Sequence, residues 1–256
     1  PIWIINMKIK SLIIIAVAAT QFIGCVHTAQ EVKPHKTHTA HWEYNGELGP
    51  ESWGKASAIC TQGQEQSPVN IISDSASALK ASNTLDFHEA TKATIAHEVD
   101  NGHAIKITPE GDHGVSVRGV HYKLLQFHFH GKSENRIDGK QFDMEMHLVH
   151  QNAEGQLLVV AVMIEEGVHN SALEGVLSHL DGGDIEETMT DILPKDTSHY
   201  YHFKGSLTTP PCSENVLWYV LKNTITIDNQ QLASFRSHHK ENFRPIQALN
   251  ARHVEA

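Results

Sequence analysis

The sequence predicts a mostly β fold of the α+β type: one domain on a large, twisted, predominantly antiparallel β-sheet with short peripheral helices. Three observations predict it. Most segments between turns alternate polar and apolar residues, or run apolar, over strand-like lengths. Helical patterns are few and short. From residue 41 to residue 252 there is no second linker, internal repeat or low-complexity tract, which predicts one domain over 41–252.

Six segments carry the strand patterns, and Gly, Asn and Asp turn residues separate them. They are TKATIAHEV (91–99), HAIKITPE (103–110), GVSVRGVHYKLLQFHFH (114–130), FDMEMHLVHQ (142–151), QLLVVAVMIEEG (156–167) and ENVLWYVLKNTITI (214–227). Two short segments with plausible N-caps predict helices, NSALEGVLSHL (170–180) and DNQQLASFRSH (228–238). A large sheet with helices on its rim follows from this pattern.

The N-terminus reads as a targeting segment. From Met7, the probable start, a basic beginning, an apolar stretch and small residues lead to Cys25, which predicts a bacterial secretory signal over residues 1–25. FIGC resembles a lipoprotein cleavage box, so a lipid anchor on Cys25 and a cut after Ala29 are both open. Residues 26–40 are polar and patternless and predict a flexible, His-containing linker. We therefore expect an exported protein in the periplasm, soluble or membrane-anchored.

The composition argues against one class of binding partner and indicates the oxidation state of the cysteines. Acidic residues outnumber basic ones 30 to 20, and no basic run is long enough to follow a phosphate backbone, so nucleic acid is excluded as an expected partner. Once Cys25 is assigned to the signal, Cys60 and Cys212 remain as an even pair. In an oxidising compartment they could form a disulfide, although two unrelated buried thiols are the alternative.

The segment LLQFHFHGKSEN (124–135) contains the first candidate site residues. Alternate side chains of a strand share a face, so Gln126, His128 and His130 point one way, and Phe127 and Phe129 point to a core. One His-x-His is weak evidence for a metal site in a chain with 20 histidines.

The next strand supplies a third histidine. Asp138-Gly139 is a strong hairpin signal, and if the turn closes there without a bulge, position 130 faces His147. His150 falls on the opposite face. Three neutral imidazoles without a fourth protein ligand suit an open catalytic zinc site. Gln126 and Glu145, each two residues from a ligand on the same face, could accept the spare N–H groups of neighbouring imidazoles.

Together with these histidines, several segments in order resemble an α-class carbonic anhydrase of the bacterial, exported kind. The resemblance covers nearly the whole mature chain, which makes it far more specific than one motif. It rests on HWEYNGELGPESWG (41–54), QEQSPVNI (64–71), DNGHAIKI (100–107), LLQFHFHGKSEN, MEMHLVH (144–150), GSLTTPPCSENVLW (205–218) and NFRPIQ (242–247).

The resemblance implies a zinc enzyme that reversibly hydrates CO2 to bicarbonate through hydroxide formed from zinc-bound water. His128, His130 and His147 would hold Zn2+. Thr208 would donate its hydroxyl proton to Glu134, which leaves it only able to accept from the nucleophile. The substrate pocket would contain Val149, Val159, Leu207, Thr208, Thr209 and Trp218, with Thr209 on the bicarbonate side.

The resemblance also assigns a proton exit. His103 occupies the shuttle position, and Tyr44 and Asn101 match residues that organise the connecting water chain. Lys106 departs from the family pattern, in which a neutral amide is common at this place. A cation there is expected to disfavour protonation of His103 and slow the relay near neutral pH.

Two other interpretations compete with this one. HFHGKSE satisfies the first motif of a cupin, a β-barrel metalloprotein, but the second cupin motif is absent. A catalytically silent zinc-binding or adhesion module of the same fold would usually have lost ligand histidines, and this chain keeps all three. Bacterial members of the family are often dimers, so a homodimer is an expectation without an interface pattern to support it.

Overall fold

The chain is built around an eleven-stranded sheet. A computed structural model describes residues 41–88, 93–178, 180–239 and 241–256. The predicted signal segment (1–25), the linker (26–40) and Cys25 lie outside the described residues. The strands are β1 Asn70–Ile71, β2 Leu85–Phe87, β3 Thr94–Asp100, β4 Ile105–Pro109, β5 Gly114–Val117, β6 Val120–His130, β7 Arg136–Ile137, β8 Met144–Gln151, β9 Leu157–Glu166, β10 Gly183–Glu187, β11 Tyr200–Ser206, β12 Glu214–Leu221 and β13 Ile225–Ile227.

The main sheet has the order β10-β3-β4-β6-β8-β9-β12-β11, with β5 against β6, β2 against β5 and β13 against β9. Most pairs are antiparallel, but β12 and β13 both run parallel to β9. A separate two-stranded parallel pair joins β1 and β7. The prediction of a mostly β fold on a large sheet is therefore confirmed, and the sheet is a mixed one.

The strand predictions differ from the structure in detail. The segment 114–130 is two strands, because Arg118 and Gly119 take positive φ angles of 56° and 74° and make a tight turn between β5 and β6. The segment 214–227 likewise divides into β12 and β13. β10 and β11 were not predicted, and neither were the short strands β1, β2 and β7. β10 has the acidic sequence GDIEE and owes its strand form to pairing with β3.

The helices of the described residues are short, as predicted. They are α1 Ile59–Gln62, α2 Glu174–Ser178 and α3 Asn229–His238. The predicted helix 170–180 begins as a 3-10 turn over Ser171–Leu173 before α2. α3 starts with a capping box in which the Asp228 side chain accepts from Gln231 N and the Gln231 side chain accepts from Asp228 N. Among these helices, none is long and apolar enough to span a membrane.

Each face of the sheet packs against its own cluster of buried apolar side chains. On one face, Phe127 and Phe129 of β6 join a large apolar core. On the other face, a second apolar cluster includes Val159 and Trp218. Strand alternation thus places the side chains at 126, 128 and 130 on the face opposite the two phenylalanines. The ordered fold continues past Arg252, where Glu255 exchanges backbone hydrogen bonds with His202 of β11.

Candidate metal centre

The pairing of β6 with β8 brings the three histidines together, although in a different register from the predicted one. His128 faces His147, and His130 faces Glu145. The prediction that position 130 faces His147 is wrong by two residues. Because the side-chain period of a strand is two, this shift leaves every predicted side chain on its predicted face.

The register shifts because the residues between the turn and the paired strands do not join the β6–β8 ladder. The turn forms where predicted, since Asp138 and Gly139 have positive φ angles of 50° and 80°. The residues on either side of it then leave the ladder. β7 pairs with β1 instead of β8, and the backbone N–H groups of Glu134 and Asn135 donate to Oε2 of Glu145 at 2.7 and 2.8 Å.

The trio itself is compact. Ligand atoms of His128, His130 and His147 all lie within 4.8 Å of one another. Nε2 of His130 is 3.1 Å from Nδ1 of His147. His130 and His147 are 1% and 2% exposed, and His128 is half-buried. In the part of the chain that the structure describes, no other group of at least three His, Cys, Asp or Glu residues meets this spacing.

The second ring nitrogen of each histidine lies beside an acceptor. Nδ1 of His128 is 2.9 Å from Oε1 of Gln126, and Nδ1 of His130 is 2.6 Å from the backbone oxygen of Asn242. Nε2 of His147 lies 3.0 Å from Oε1 of Glu145, an ion-pair distance without hydrogen-bond geometry. Each ring is therefore oriented with its other nitrogen toward the centre of the trio.

The structure places Gln126 and Glu145 beside the histidines that the sequence indicated. The role of Asn242 was not predicted, because the group that accepts from His130 is its backbone carbonyl, and no side-chain pattern in the sequence indicates such a contact. NFRPIQ, which begins at Asn242, was noticed only through the resemblance.

Burial gives the trio the protonation state that a metal needs. Desolvation lowers the pKa of all three histidines, with the neighbouring imidazoles adding to the effect at His128 and His147. The rings are therefore neutral near pH 7 and offer lone pairs. Neutral imidazole is a preferred ligand of zinc, so these residues fit a zinc ion.

Glu134 adds a second sign of a missing positive charge. Its Oε2 atom is buried and has no hydrogen-bond partner of ordinary geometry among the described residues. This oxygen lies 3.4 Å from Nε2 of His130 and 3.9 Å from Nδ1 of His147. An orphaned carboxylate oxygen beside two ligand nitrogens suits a cation held between them.

The environment of Glu134 also includes Thr208 and Arg244. Burial raises the pKa of Glu134 to about 8, while Thr208 and the Arg244 backbone N–H, which donates to Oε1 at 2.7 Å, act to lower it. Thr208 is thus near the carboxyl group, but no contact of hydrogen-bond geometry joins its hydroxyl to Oε2. A divalent cation in the trio would act against this rise and lower the pKa of Glu134.

Apolar side chains flank the trio. Val149, Val159 and Trp218 are 8%, 2% and 1% exposed, and the partly buried Leu207 packs against the same cluster. The Trp218 ring is 4.9 Å from that of His147. Thr209 is half-buried, and its carbonyl accepts from Cys212 N at 2.8 Å. The four apolar residues of the predicted pocket therefore belong to the cluster beside His147.

The predicted shuttle lies in the hairpin turn between β3 and β4. The half-buried His103 ring stacks on Trp42 with 3.9 Å between centroids, and its Nε2 is 3.0 Å from the Trp42 backbone oxygen. Tyr44 is nearby, with 6.5 Å between the two rings. Oδ1 of Asn101 accepts from the backbone N–H groups of His103 and Ala104 at 2.9 Å each.

The two cysteines outside the signal segment form a disulfide. Cys60 and Cys212 are bonded across a separation of 152 residues. They are buried in a small cluster with Trp53, against which Trp42 and Tyr44 pack. The prediction of a disulfide is confirmed, and the alternative of two unrelated thiols is wrong.

The fold and the site together define a class: a β-sheet metalloprotein with a three-histidine site of the open, catalytic zinc type. Over residues 48–256 the chain matches the family model for the eukaryotic-type carbonic anhydrase. It therefore belongs to the carbonic anhydrase family of the α class, whose members are zinc enzymes.

Individual relatives agree with this assignment. A carbonic anhydrase of Neisseria gonorrhoeae is 40% identical over 250 residues, which cover 92% of this chain and 94% of the relative. The α-carbonic anhydrase of Thermovibrio ammonificans, solved with the inhibitor sulfanilamide, has a TM-score of 0.78 at 36% identity and covers 84% of this chain and 99% of its own. That of Photobacterium profundum has a TM-score of 0.77 at 37% identity, with coverages of 84% and 100%.

Proposed function

We propose that this chain hydrates CO2 reversibly to bicarbonate and a proton, with Zn2+ held by His128, His130 and His147. The observation that carries the proposal is the orientation of the trio. Each ring has its second nitrogen beside an acceptor, which turns the remaining nitrogens toward a shared point. Zinc bound there lowers the pKa of water, so that hydroxide is available at neutral pH.

Thr208 and Glu134 are proposed to orient the nucleophile. An ionised Glu134 is acceptor-only, so a Thr208 hydroxyl that donates to it keeps only lone pairs for the hydroxide. The hydroxide must then donate its proton to Thr208 and present a lone pair to carbon. The buried position of both residues and the effect of Thr208 on the pKa of Glu134 support this arrangement.

CO2 needs an apolar wall, because it is apolar and gains little from hydrogen bonds. We assign this wall to Val149, Val159, Leu207 and Trp218, which lie in the apolar cluster beside His147. Addition of hydroxide to carbon would form the new C–OH bond of bicarbonate, while the π electrons of one C=O bond move to its oxygen. Thr209, at the half-buried edge, is proposed to contact the product.

Each turnover leaves one proton to be exported. Direct release from a group with a pKa near 7 is limited to about 10³ per second, because recombination is diffusion-limited at about 10¹⁰ M⁻¹s⁻¹. A histidine shuttle removes this limit. We propose His103 for this role, with Tyr44 and Asn101 ordering the waters that connect it to the metal.

Stopped-flow CO2 hydration, measured before and after zinc removal by a chelator, tests the function. We expect activity that is lost with zinc and restored when zinc is added back, and a Thr208→Ala variant that binds zinc but loses about 10²-fold in kcat/KM. A zinc-loaded protein without hydration activity would favour the silent zinc-binding or adhesion module instead.

The cellular context is also a proposal. The disulfide and the bacterial relatives are consistent with an exported protein. We propose a signal segment over 1–25, a linker over 26–40, a catalytic domain over 41–252 and a periplasmic location. Lipid on Cys25 and a homodimer complete the proposal. Mass spectrometry of the mature N-terminus and sedimentation of the purified protein would test these two points.

A further inference from the structure

The turn that carries His103 is held by two residues near the C-terminus of the chain. His239, directly after α3, is 8% exposed, and its Nε2 is 3.1 Å from Oδ1 of Asp100 at the end of β3. Oδ1 of Asp100 also accepts from the backbone N–H of Gly102 at 2.8 Å. One carboxylate oxygen thus links the end of α3 to the turn.

The direction of this hydrogen bond is fixed by its partners. A carboxylate can only accept, so Nε2 of His239 carries the proton and donates. Burial lowers the pKa of His239, which keeps the ring neutral near pH 7. The contact is therefore a charge-assisted hydrogen bond from a neutral imidazole, about twice as strong as a neutral one.

Asn242 supports the same turn from the side of the metal centre. Its Nδ2 donates to the backbone oxygens of His103 at 3.2 Å and Phe129 at 2.9 Å, and its Oδ1 accepts from Gly131 N at 2.7 Å. Its own carbonyl accepts from His130. Asn242 therefore ties the turn to β6, while His239 holds the start of the turn through Asp100.

The His103 ring itself is held less firmly than the backbone beneath it. The half-buried ring stacks on Trp42, has the Tyr44 ring edge-on with 6.5 Å between centroids, and makes one hydrogen bond to a carbonyl. Gly102, with φ at +83°, allows the sharp turn. A proton carrier requires a backbone that stays in place, since the ring must change partners while its pivot is fixed.

We propose that His239 is a positioning residue for proton transfer, because its hydrogen bond to Asp100 fixes the backbone that carries the His103 ring. This inference rests on the proposed shuttle role of His103. It assigns a function to a histidine that touches neither the metal ligands nor the substrate pocket. Its loss should loosen the turn and leave the metal centre as it is.

Two substitutions at position 239 separate the hydrogen bond from the packing. His239→Phe keeps a ring near Phe235, 6.0 Å away, but cannot donate. His239→Gln places an amide N–H near the position of Nε2 and should restore the bond. In His239→Phe we expect kcat in dilute buffer to fall about 10-fold through misplacement of the shuttle, while kcat/KM for CO2 hydration stays unchanged, because the proton leaves after bicarbonate.

A second readout does not depend on activity. In metal-free protein, amide hydrogen exchange at Gly102, His103 and Ala104 should be about 10-fold faster in His239→Phe, equal to the loss of about 1.4 kcal/mol of local protection, and unchanged in His239→Gln. If exchange and kcat in His239→Phe match the unmodified protein, the proposal is overturned. If His239→Phe does not fold, Asp100→Ala removes the same link at an exposed position, and exchange is then compared at His103 and Ala104 only, because Gly102 N loses its own acceptor in that variant.

A His103→Ala control distinguishes failure of this inference from failure of the shuttle. A drop in kcat at low buffer, reversed by added imidazole, would establish the shuttle. A normal kcat in His103→Ala would reject the shuttle, and with it the role of His239 in proton transfer, whatever the exchange rates show. A low kcat in His103→Ala beside a normal one in His239→Phe would reject only the positioning role.

Discussion

The histidines of the metal trio and His103 differ in how their rings are held. His128, His130 and His147 lie on continuous strands, and each ring has an acceptor beside its second nitrogen. His103 lies on a hairpin turn, half-exposed, with its backbone held by side chains and its ring stacked on an aromatic face.

The difference follows from the chemistry asked of each site. A metal ligand must keep one lone pair directed at the metal, so an acceptor beside the second ring nitrogen fixes the orientation of its ring. A proton carrier must exchange partners, and the His103 ring is held by one hydrogen bond and by stacking while side chains fix its backbone. The same residue type thus serves two purposes according to where the restraint is applied.

The strongest test of this contrast removes a ligand. His130→Ala should abolish tight zinc binding and lower CO2 hydration by more than about 10³-fold, because two imidazoles cannot hold an open catalytic site. Zinc content by atomic absorption and stopped-flow rates measure both effects. His103→Ala is the matched control and should keep a full equivalent of zinc; loss of zinc from that variant would contradict the division between the two kinds of histidine.

His150 sharpens the comparison, because it is buried on the same strand as His147 but on the opposite face. Burial lowers its pKa to about 4, and the backbone groups of Leu158 and Leu148 oppose this effect only in part. A buried histidine that stays neutral in the folded chain makes the fold sensitive to acid. Above pH 6.5 the ring is neutral in the folded and unfolded chain alike, and His150 has no effect on the pH dependence of stability.

As the pH falls from 6.5 to 4, the unfolded chain takes up a proton that folded His150 refuses. The free energy of unfolding should therefore drop by about 3 kcal/mol through this one residue. Urea unfolding of metal-free protein at pH 7 and pH 4.5 would show the drop, and His150→Gln should show a smaller one. An equal acid sensitivity in both proteins would assign the loss of stability to other groups.

The third test loosens one ring without removing a ligand. Gln126→Ala deletes the acceptor for Nδ1 of His128 and should weaken zinc binding about 10- to 100-fold, with the fold intact. Competition with a chelator gives the affinity. Gln151→Ala, on the neighbouring strand β8, is the control and should bind zinc normally; equal affinities in the two variants would mean that the acceptor does not orient His128.

The sequence was sufficient for the faces of the strands but not for their register. Period-two alternation placed Gln126, His128 and His130 on one face, and the two-residue error in pairing did not move any of them. The register could not be predicted, because it depends on tertiary contacts of the side chains. The Glu145 side chain accepts from the backbone N–H groups of Glu134 and Asn135, which in a simple hairpin would pair with β8.

Contacts made by backbone atoms or across long separations were the main omissions. The Asn242 carbonyl on His130 joins residues 112 positions apart, and the bond from His239 to Asp100 spans 139. No local pattern encodes such pairs. β10, by contrast, was missed because its acidic sequence has low strand propensity and becomes a strand only against β3.

The smallest expected effect concerns Lys106, which bears on both the metal trio and the predicted shuttle His103. It pairs with His128 in the β4–β6 ladder, and its charge contributes to the lowered pKa of His128 after burial and the two other imidazoles. Its side chain is exposed, so water and salt screen the charge.

Lys106→Gln should leave kcat/KM at high pH unchanged. The pH profile of kcat in dilute buffer should move upward by roughly 0.3 to 0.5 units, which corresponds to a screened interaction of about 0.5 kcal/mol. The sign follows from removing a cation, which makes protonation easier at every nearby group. Lys123→Gln, an exposed lysine further along β6, should leave the profile in place, and superimposable profiles for all three proteins would show that the charge at position 106 reaches neither the metal centre nor the shuttle.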